Sequence, residues 1–277
     1  MTVRRLPDLT PTQVVRLQDA LLANADTLLK SALAVLDLGH VALAQSLAIL
    51  GLEESGKAIA VHSRRVSMGY LPSGETFRCE QIDFLWASHE RKLESVYRFL
   101  VDEPYWFGVE PADPEENAGY LGTIKAWSRR YDRTKQRGFY VDLDKTGELM
   151  APSGVADEDA LREVVARVHQ IGWQLRLGEH IEGKRQDEQE AGIPAMDEDD
   201  LDWLDAVAND ETTEQFLAEL AQSMNEGVSG GPLPNAKYRF NQPGADRSPF
   251  CNLGKPGYEA ETREIMRLAK RVDEGEE

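Results

Sequence analysis

Cysteine is nearly absent from this chain: Cys79 and Cys251 are the only two among 277 residues. That excludes a disulfide framework and a thiolate metal cluster, and it fits a reducing compartment. Long apolar runs are missing as well. No uninterrupted stretch approaches the roughly 20 residues that a membrane helix requires. The opening Met1-Thr2-Val3-Arg4-Arg5-Leu6-Pro7-Asp8 lacks the apolar core of a signal peptide, so a cytoplasmic protein away from membranes is expected. No Gly-rich phosphate loop precedes a helix, no repeat recurs, and no series of alternating strands is seen. These absences argue against α/β and β folds and leave an all-α chain. No cofactor is expected.

Basic residues are scarce towards the end. The net charge of -18 divides into -4 over residues 1–185 and -14 over residues 186–277. A surface so acidic opposes a broad nucleic-acid footprint, because phosphate binding relies on Lys and Arg. Any nucleic acid has to meet a local basic site. The division also marks two regions: a helical bundle over 1–185 and an acidic extension over 186–277, with short helices and a Gly/Pro-rich loop.

What is present is helical periodicity. Thr10-Pro11-Thr12-Gln13 reads as a helix start, with Thr as cap, Pro in the first turn and Gln closing a capping box. A first helix runs from there to about Leu38, with Val14, Leu17, Leu21, Ala25, Leu28, Ala32 and Val35 on one face, and Gly39 ends it. A second, about His40 to Arg65, carries Leu43, Leu47, Leu50, Ala58 and Val61 on one stripe and Ala42, Ser46, Ile49, Gly56 and Ala60 on another. An element apolar on two sides belongs in the middle of a bundle. The third helix is expected over Arg78–Val101 and a Pro-rich loop over Asp102–Asn117. The fourth is expected over Ala118–Gln136, broken by Gly138 before an extended Phe139–Asp142, and the fifth over Ala156–Gly183. Beyond it come a polar linker over Lys184–Asp200, short acidic helices near 201–207 and 211–226, a loop over 227–257 and a last helix near 258–271.

Several polar residues sit where this pattern wants apolar ones. Glu53 and Glu54 fall on the two apolar stripes of the second helix, and a carboxylate facing a core is costly unless paired. Lys57 is four residues from one and three from the other, within reach of either. His89 interrupts the stripe of the third helix, with Lys92 on the next turn. It reads either as a hydrogen-bonded core residue or as a proton-transfer group. With no second His or carboxylate at ligand spacing nearby, no metal is expected. Lys125, Arg129, Arg130, Arg133, Lys135 and Arg137 make the densest basic run in the chain, with Arg129, Arg133 and Arg137 four apart on one face. Guanidinium groups match phosphate oxygens, although charge runs are commonly plain solvated surface. Tyr140 and Asp142 follow directly. Arg162 and His169 share a face two turns apart on the fifth helix, a weaker alternative pair.

Together, Asn24-Ala25 in the first helix, the run Leu47-Ala48-Ile49-Leu50-Gly51-Leu52-Glu53-Glu54-Ser55-Gly56-Lys57, His89 with Lys92, and Arg137-Gly138-Phe139-Tyr140-Val141-Asp142 resemble an AbiV-type abortive-infection HEPN domain over about Val14–Ala151. The resemblance implies an antiparallel helical bundle that forms a homodimer. It also implies an antiphage role as a metal-independent endoribonuclease or RNA-binding toxin, with RNA as substrate and a phage-encoded trigger or an antitoxin protein as further partners. HEPN ribonucleases usually carry Arg, four to six residues, then His. Here only Arg162 and His169 meet that spacing, while Arg133 leads to Tyr140. On this resemblance His89, Arg133, Arg137 and Tyr140 are the catalytic candidates, supported by Glu53, Glu54, Lys57, Lys92 and Asp142. The alternative is a non-catalytic helical interaction protein whose acidic tail binds a partner or regulates the bundle by covering its basic helix.

Overall fold

The computed structural model describes residues 6–105, 112–152, 157–193, 227–241 and 254–255. Among these the chain is all-α. Its helices are α1 (Pro11–Asp37), α2 (Val41–Tyr70), α3 (Glu80–Ala87), α4 (His89–Asp102), α5 (Pro114–Leu121), α6 (Ile124–Phe139) and α7 (Glu158–Ala191). Two short antiparallel ladders join β1 (Asp142–Leu143) to β2 (Leu149–Met150) and β3 (Gly192–Ile193) to β4 (Val228–Ser229). No helix among the described residues is long and apolar enough to cross a membrane.

The first hairpin forms as its sequence dictates. The Thr10 hydroxyl accepts the Gln13 N–H while the Gln13 side chain accepts the Thr10 N–H, a complete capping box. Gly39 at φ +81° makes the turn into α2, a conformation glycine adopts without strain. α2 is the central element and packs against α1, α4, α6 and α7. Ala44, Ala48, Ile49, Leu52, Ala58 and Val61 are all fully buried along it. Across the bundle, Trp127 of α6 lies between Tyr97 of α4 and Tyr131, an aromatic cluster at centroid distances of 5.9 and 4.4 Å.

Several expected boundaries are corrected. The third helix is two: Ser88 is extended (φ -132°, ψ 124°) and its hydroxyl accepts the Arg91 N–H, so α3 ends and α4 starts at that residue. Part of the expected loop is helical, since Asp113 caps α5 with Pro114 in its first turn. The expected fourth helix is likewise interrupted, because Gly122 at φ +77° separates α5 from α6. Gly138 does not break α6. It faces Ser46 and Ala42 of α2 so closely that a Cβ would collide with the Ser46 hydroxyl and the Ala42 carbonyl, and Phe139 is the last helical residue. α2 continues to Tyr70 rather than stopping near Arg65. α7 runs on through Lys184–Ala191, which is helix and not linker.

The described part of the extension packs on the bundle. Tyr238 stacks on Phe77, and the Asn235 N–H donates to the Gly69 carbonyl. Arg239 pairs with Asp187 and Glu190 of α7. The expected acidic helices near 201–207 and 211–226 and the last helix near 258–271 lie outside the described residues.

Candidate functional site

Glu53 sits in the middle of α2 at 3% exposure, with charged or ionisable groups from two other helices converging on it. Its Oε2 lies 2.5 Å from His89 Nδ1, and its Oε1 accepts from Lys135 Nζ at 2.5 Å. Lys92 Nζ stands 3.9 Å from Oε2, and Lys135 also meets Asp132 at 3.0 Å. α4 supplies His89 and Lys92, α6 supplies Lys135, and two close helix contacts set the geometry. Gly56 lets the backbone of α4 approach at Lys92, and Gly138 lets α6 approach at Ser46, whose hydroxyl donates to the Lys135 carbonyl at 2.8 Å.

The chemistry follows from the partners. A carboxylate only accepts, so His89 donates its Nδ1–H to Glu53, which leaves Nε2 as the site for taking or giving a proton. The His89 side chain is 60% exposed although its partner is buried, so the imidazole spans the boundary between core and solvent. Burial holds the Lys92 ammonium below its ordinary range, with the Glu53 charge opposing that shift.

The structure divides the sequence candidates. Glu53, His89 and Lys92 come together. Glu54 and Lys57 form a separate ion pair at 2.5 Å, with the Lys57 ammonium 5.6 Å from the centre of the Trp86 ring. Arg133 and Arg137 are exposed on α6, turned away from the face that carries Lys135. Arg137 lines a different cleft, of about 550 Å³, with Arg130, Gln45, Asp157, Asp159 and Glu163. Tyr140 is 68% exposed past the end of α6, and the Asp142 carboxylate accepts the Leu143 N–H. Among the described residues no hydrogen bond or ion pair joins His89 to Arg133, Arg137 or Tyr140. From α6, Arg129 reaches the first turn of α4, its Nε 4.0 Å from Glu90. Arg162 is exposed, while His169 is half-buried against Leu22, Ala25, Asp26 and Ser55. Among the described residues no group of three or more His, Cys, Asp or Glu side chains is placed to hold a metal ion.

Two features escaped the sequence reading. Lys135 was one member of a basic run, yet it is the buried one, at 6% exposure. Its position three residues before Gly138, on the same face of α6, was the available signal. The second is a buried polar cluster further along α2. His62 Nε2 is 2.6 Å from the Tyr105 hydroxyl and Nδ1 is 3.5 Å from Gln18 Nε2. Glu179 binds Gln18 and Arg65, and also Arg176, which reaches Asp19. Burial, and then the charges of Arg65 and Arg176, lower His62 to about 3, so it is neutral at ordinary pH.

This all-α bundle, whose central helix holds a buried carboxylate against a histidine and lysines from its neighbours, has the fold class of the HEPN proteins. The family model for AbiV, the abortive-infection branch of that class, matches residues 13–173, more than half of the chain, and the chain belongs to that family. The match takes in the whole Glu53 cluster. No curated protein and no solved structure matches the chain.

Proposed function

We propose that the chain is an abortive-infection effector that cleaves RNA without a metal ion, using His89 as the proton-transfer group. One observation carries this reading: an exposed imidazole is held at Nδ1 by a buried carboxylate, which orients the ring and directs Nε2 outward. Cleavage next to a 2′-hydroxyl needs a base to take that hydroxyl's proton as its oxygen attacks phosphorus, a proton for the departing 5′-oxygen, and positive charge for the crowded phosphate. His89 Nε2 takes the 2′-hydroxyl proton, and a water protonates the 5′-oxygen as its bond to phosphorus breaks. Lys92, 12% exposed beside His89, supplies charge at the same spot, and Arg129 and Arg133 extend the positive surface along α6. Tyr140 and Arg137 are left with strand contact rather than chemistry. Glu53 and Lys135 are positioning residues.

The test is cleavage of a single-stranded RNA by the purified full chain in excess EDTA. His89→Ala is expected to lower the rate by about 100-fold or more, as loss of a proton-transfer group does. Arg133→Ala is expected to raise KM with little change in kcat. Undiminished cleavage by His89→Ala, or activity that requires added metal, sinks the reading. In the competing view the cluster only braces the bundle. That view predicts that His89→Ala changes the melting temperature and leaves the effect per folded molecule intact.

A further inference from the structure

The cleft of about 550 Å³ between α6 and the start of α7 has walls of opposite charge. Arg130 and Arg137 line it from one face of α6, two turns apart. Asp159 and Glu163 line it from α7, four residues apart and so also on one face. Arg130 rests against the Tyr131 ring at 5.1 Å, and Glu163 gives only its Oε1 to Arg167. Among the described residues neither Arg137 nor Asp159 has an ion-pair partner. Gln45 of the central helix lines the same cleft at 5% exposure, and its side-chain amide makes no hydrogen bond among the described residues. Buried amides are normally paired, so this one offers an open donor and an open acceptor to the cleft.

We propose that this cleft takes a guanine base. Guanine carries its acceptors, O6 and N7, on one edge and its donors, N1–H and the N2 amino group, on the next. A wall of donors facing a wall of acceptors matches that division. Arg137 and Arg130 donate to O6 and N7, Asp159 and Glu163 accept from N1–H and N2, and the Gln45 amide serves either edge from the inner end. Adenine has acceptors, N1 and N7, on both sides of its amino group, so it turns a lone pair towards a carboxylate. Uracil has one N–H between two carbonyls, and cytosine has no ring N–H on its pairing edge. The acids of α7, with Asp157 beside them, repel phosphate, so the base enters and its phosphate stays outside. The place of that base in an RNA strand rests on the reading of α6 as the strand-binding face. From Arg137 to Arg129, which reaches the first turn of α4, is about 12 Å along the helix. A guanine in the cleft is then close in the strand to the bond at His89 and sets where the cut falls.

Fluorescence anisotropy of the full chain with 2′-O-methyl decamers, which cannot be cut at the 2′ position, tests this apart from cleavage. One decamer is all U, and three others carry G, A or C at the two central positions. The G decamer is expected to bind about 10-fold or more tightly than the rest, the discrimination that a good base contact gives. Asp159→Asn changes an exposed residue and is expected to keep the wild-type circular dichroism spectrum. It is expected to bring the G decamer to the affinity of the A decamer while the all-U decamer stays within about twofold. Arg137→Ala is expected to weaken every decamer through lost strand contact, and the G decamer most. Titration with GMP and AMP, followed by NMR, distinguishes the source of the base. A G preference among decamers with only weak GMP binding assigns the cleft to RNA. GMP binding that Asp159→Asn abolishes, with no G preference among decamers, assigns it to a free guanine nucleotide. The proposal is overturned if neither decamers nor mononucleotides favour guanine, or if the preference survives both Asp159→Asn and Arg137→Ala. A chain that cuts RNA but favours no base overturns this proposal and leaves the role of His89 standing, whereas guanine preference without cleavage does the reverse.

Discussion

His89 Nδ1 lies 2.5 Å from Glu53 Oε2, although His89 opens a helix at the surface and Glu53 is buried in the central helix of the bundle. Lys135 takes the other oxygen at the same distance, so each oxygen of one carboxylate is committed to a different helix. The cluster therefore joins α4 and α6 to α2 through a single side chain.

Glu53→Gln is expected to destabilise the fold by up to about 3–5 kcal/mol, because the buried Lys135 ammonium then keeps only the half-buried Asp132 as counter-charge. Lys135→Met alone leaves the opposite charge buried. The double variant is expected to recover a large part of the loss, since the charges that need each other are then both gone. Urea unfolding of the four proteins measures the coupling. Additive single losses would mean that the pair is not coupled.

Gly138→Ala is expected to cost about 2–4 kcal/mol, because the new methyl meets the Ser46 hydroxyl and the Ala42 backbone, and backbone cannot move aside cheaply. Gly119→Ala in α5 has open space around it and is expected to stabilise by a few tenths to about 1 kcal/mol through helix propensity. Thermal melts that rank the two variants in the opposite order would refute the close packing of α6 on α2.

His62 makes stability depend on acid. Unfolded, it takes up a proton near pH 6.5, whereas folded it does so only near 3. Its contribution is whole above pH 6.5 and is lost as pH falls from there towards 3, by up to about 1.4 kcal/mol per pH unit. Denaturation midpoints of the wild type are expected to fall between pH 6.5 and 4.5 more steeply than those of His62→Gln. Parallel slopes would show that His62 titrates normally in the folded chain.

Phe240→Ala is expected to cost about 1–2 kcal/mol. The ring lies 3.9 Å from the Arg65 guanidinium and beside His62, and its loss opens that buried cluster to water. Hydrogen exchange around His62 and Arg65 is expected to rise more than exchange in α1. Exchange unchanged at both places would mean that residues 227–241 do not seal the cluster.

Local sequence determined the parts that depend on near neighbours. The capping box at Thr10, the turn at Gly39 and the stripes of α1 and α2 follow from three- and four-residue spacings, and they reappear in the structure. Ile82, Leu85, Leu93 and Val96 also keep one helical spacing on both sides of Ser88, with His89 as the interruption, so one helix was expected where a side-chain cap makes two. Glycine at 138 reads locally as a breaker. Only the approach of α2, almost 100 residues earlier, shows that its missing side chain is what α6 needs there. Lys184–Ala191 has no apolar period and reads as linker, yet it stays helical where Gln186 is buried and residues 239–241 bind it from more than 50 residues away.

The chemistry divides in the same way. Sequence alone determined that Glu53 was a misplaced carboxylate on an apolar stripe, since burial of an ionisable group is visible in a helical period, whereas His89, read on such a stripe too, stands 60% exposed. Which cation answers which carboxylate was decided by tertiary structure. Lys57 chose Glu54, Lys135 left its basic run to meet Glu53, and Arg137 turned towards another cleft, because a helix's rotation about its axis is set by the neighbours it packs against.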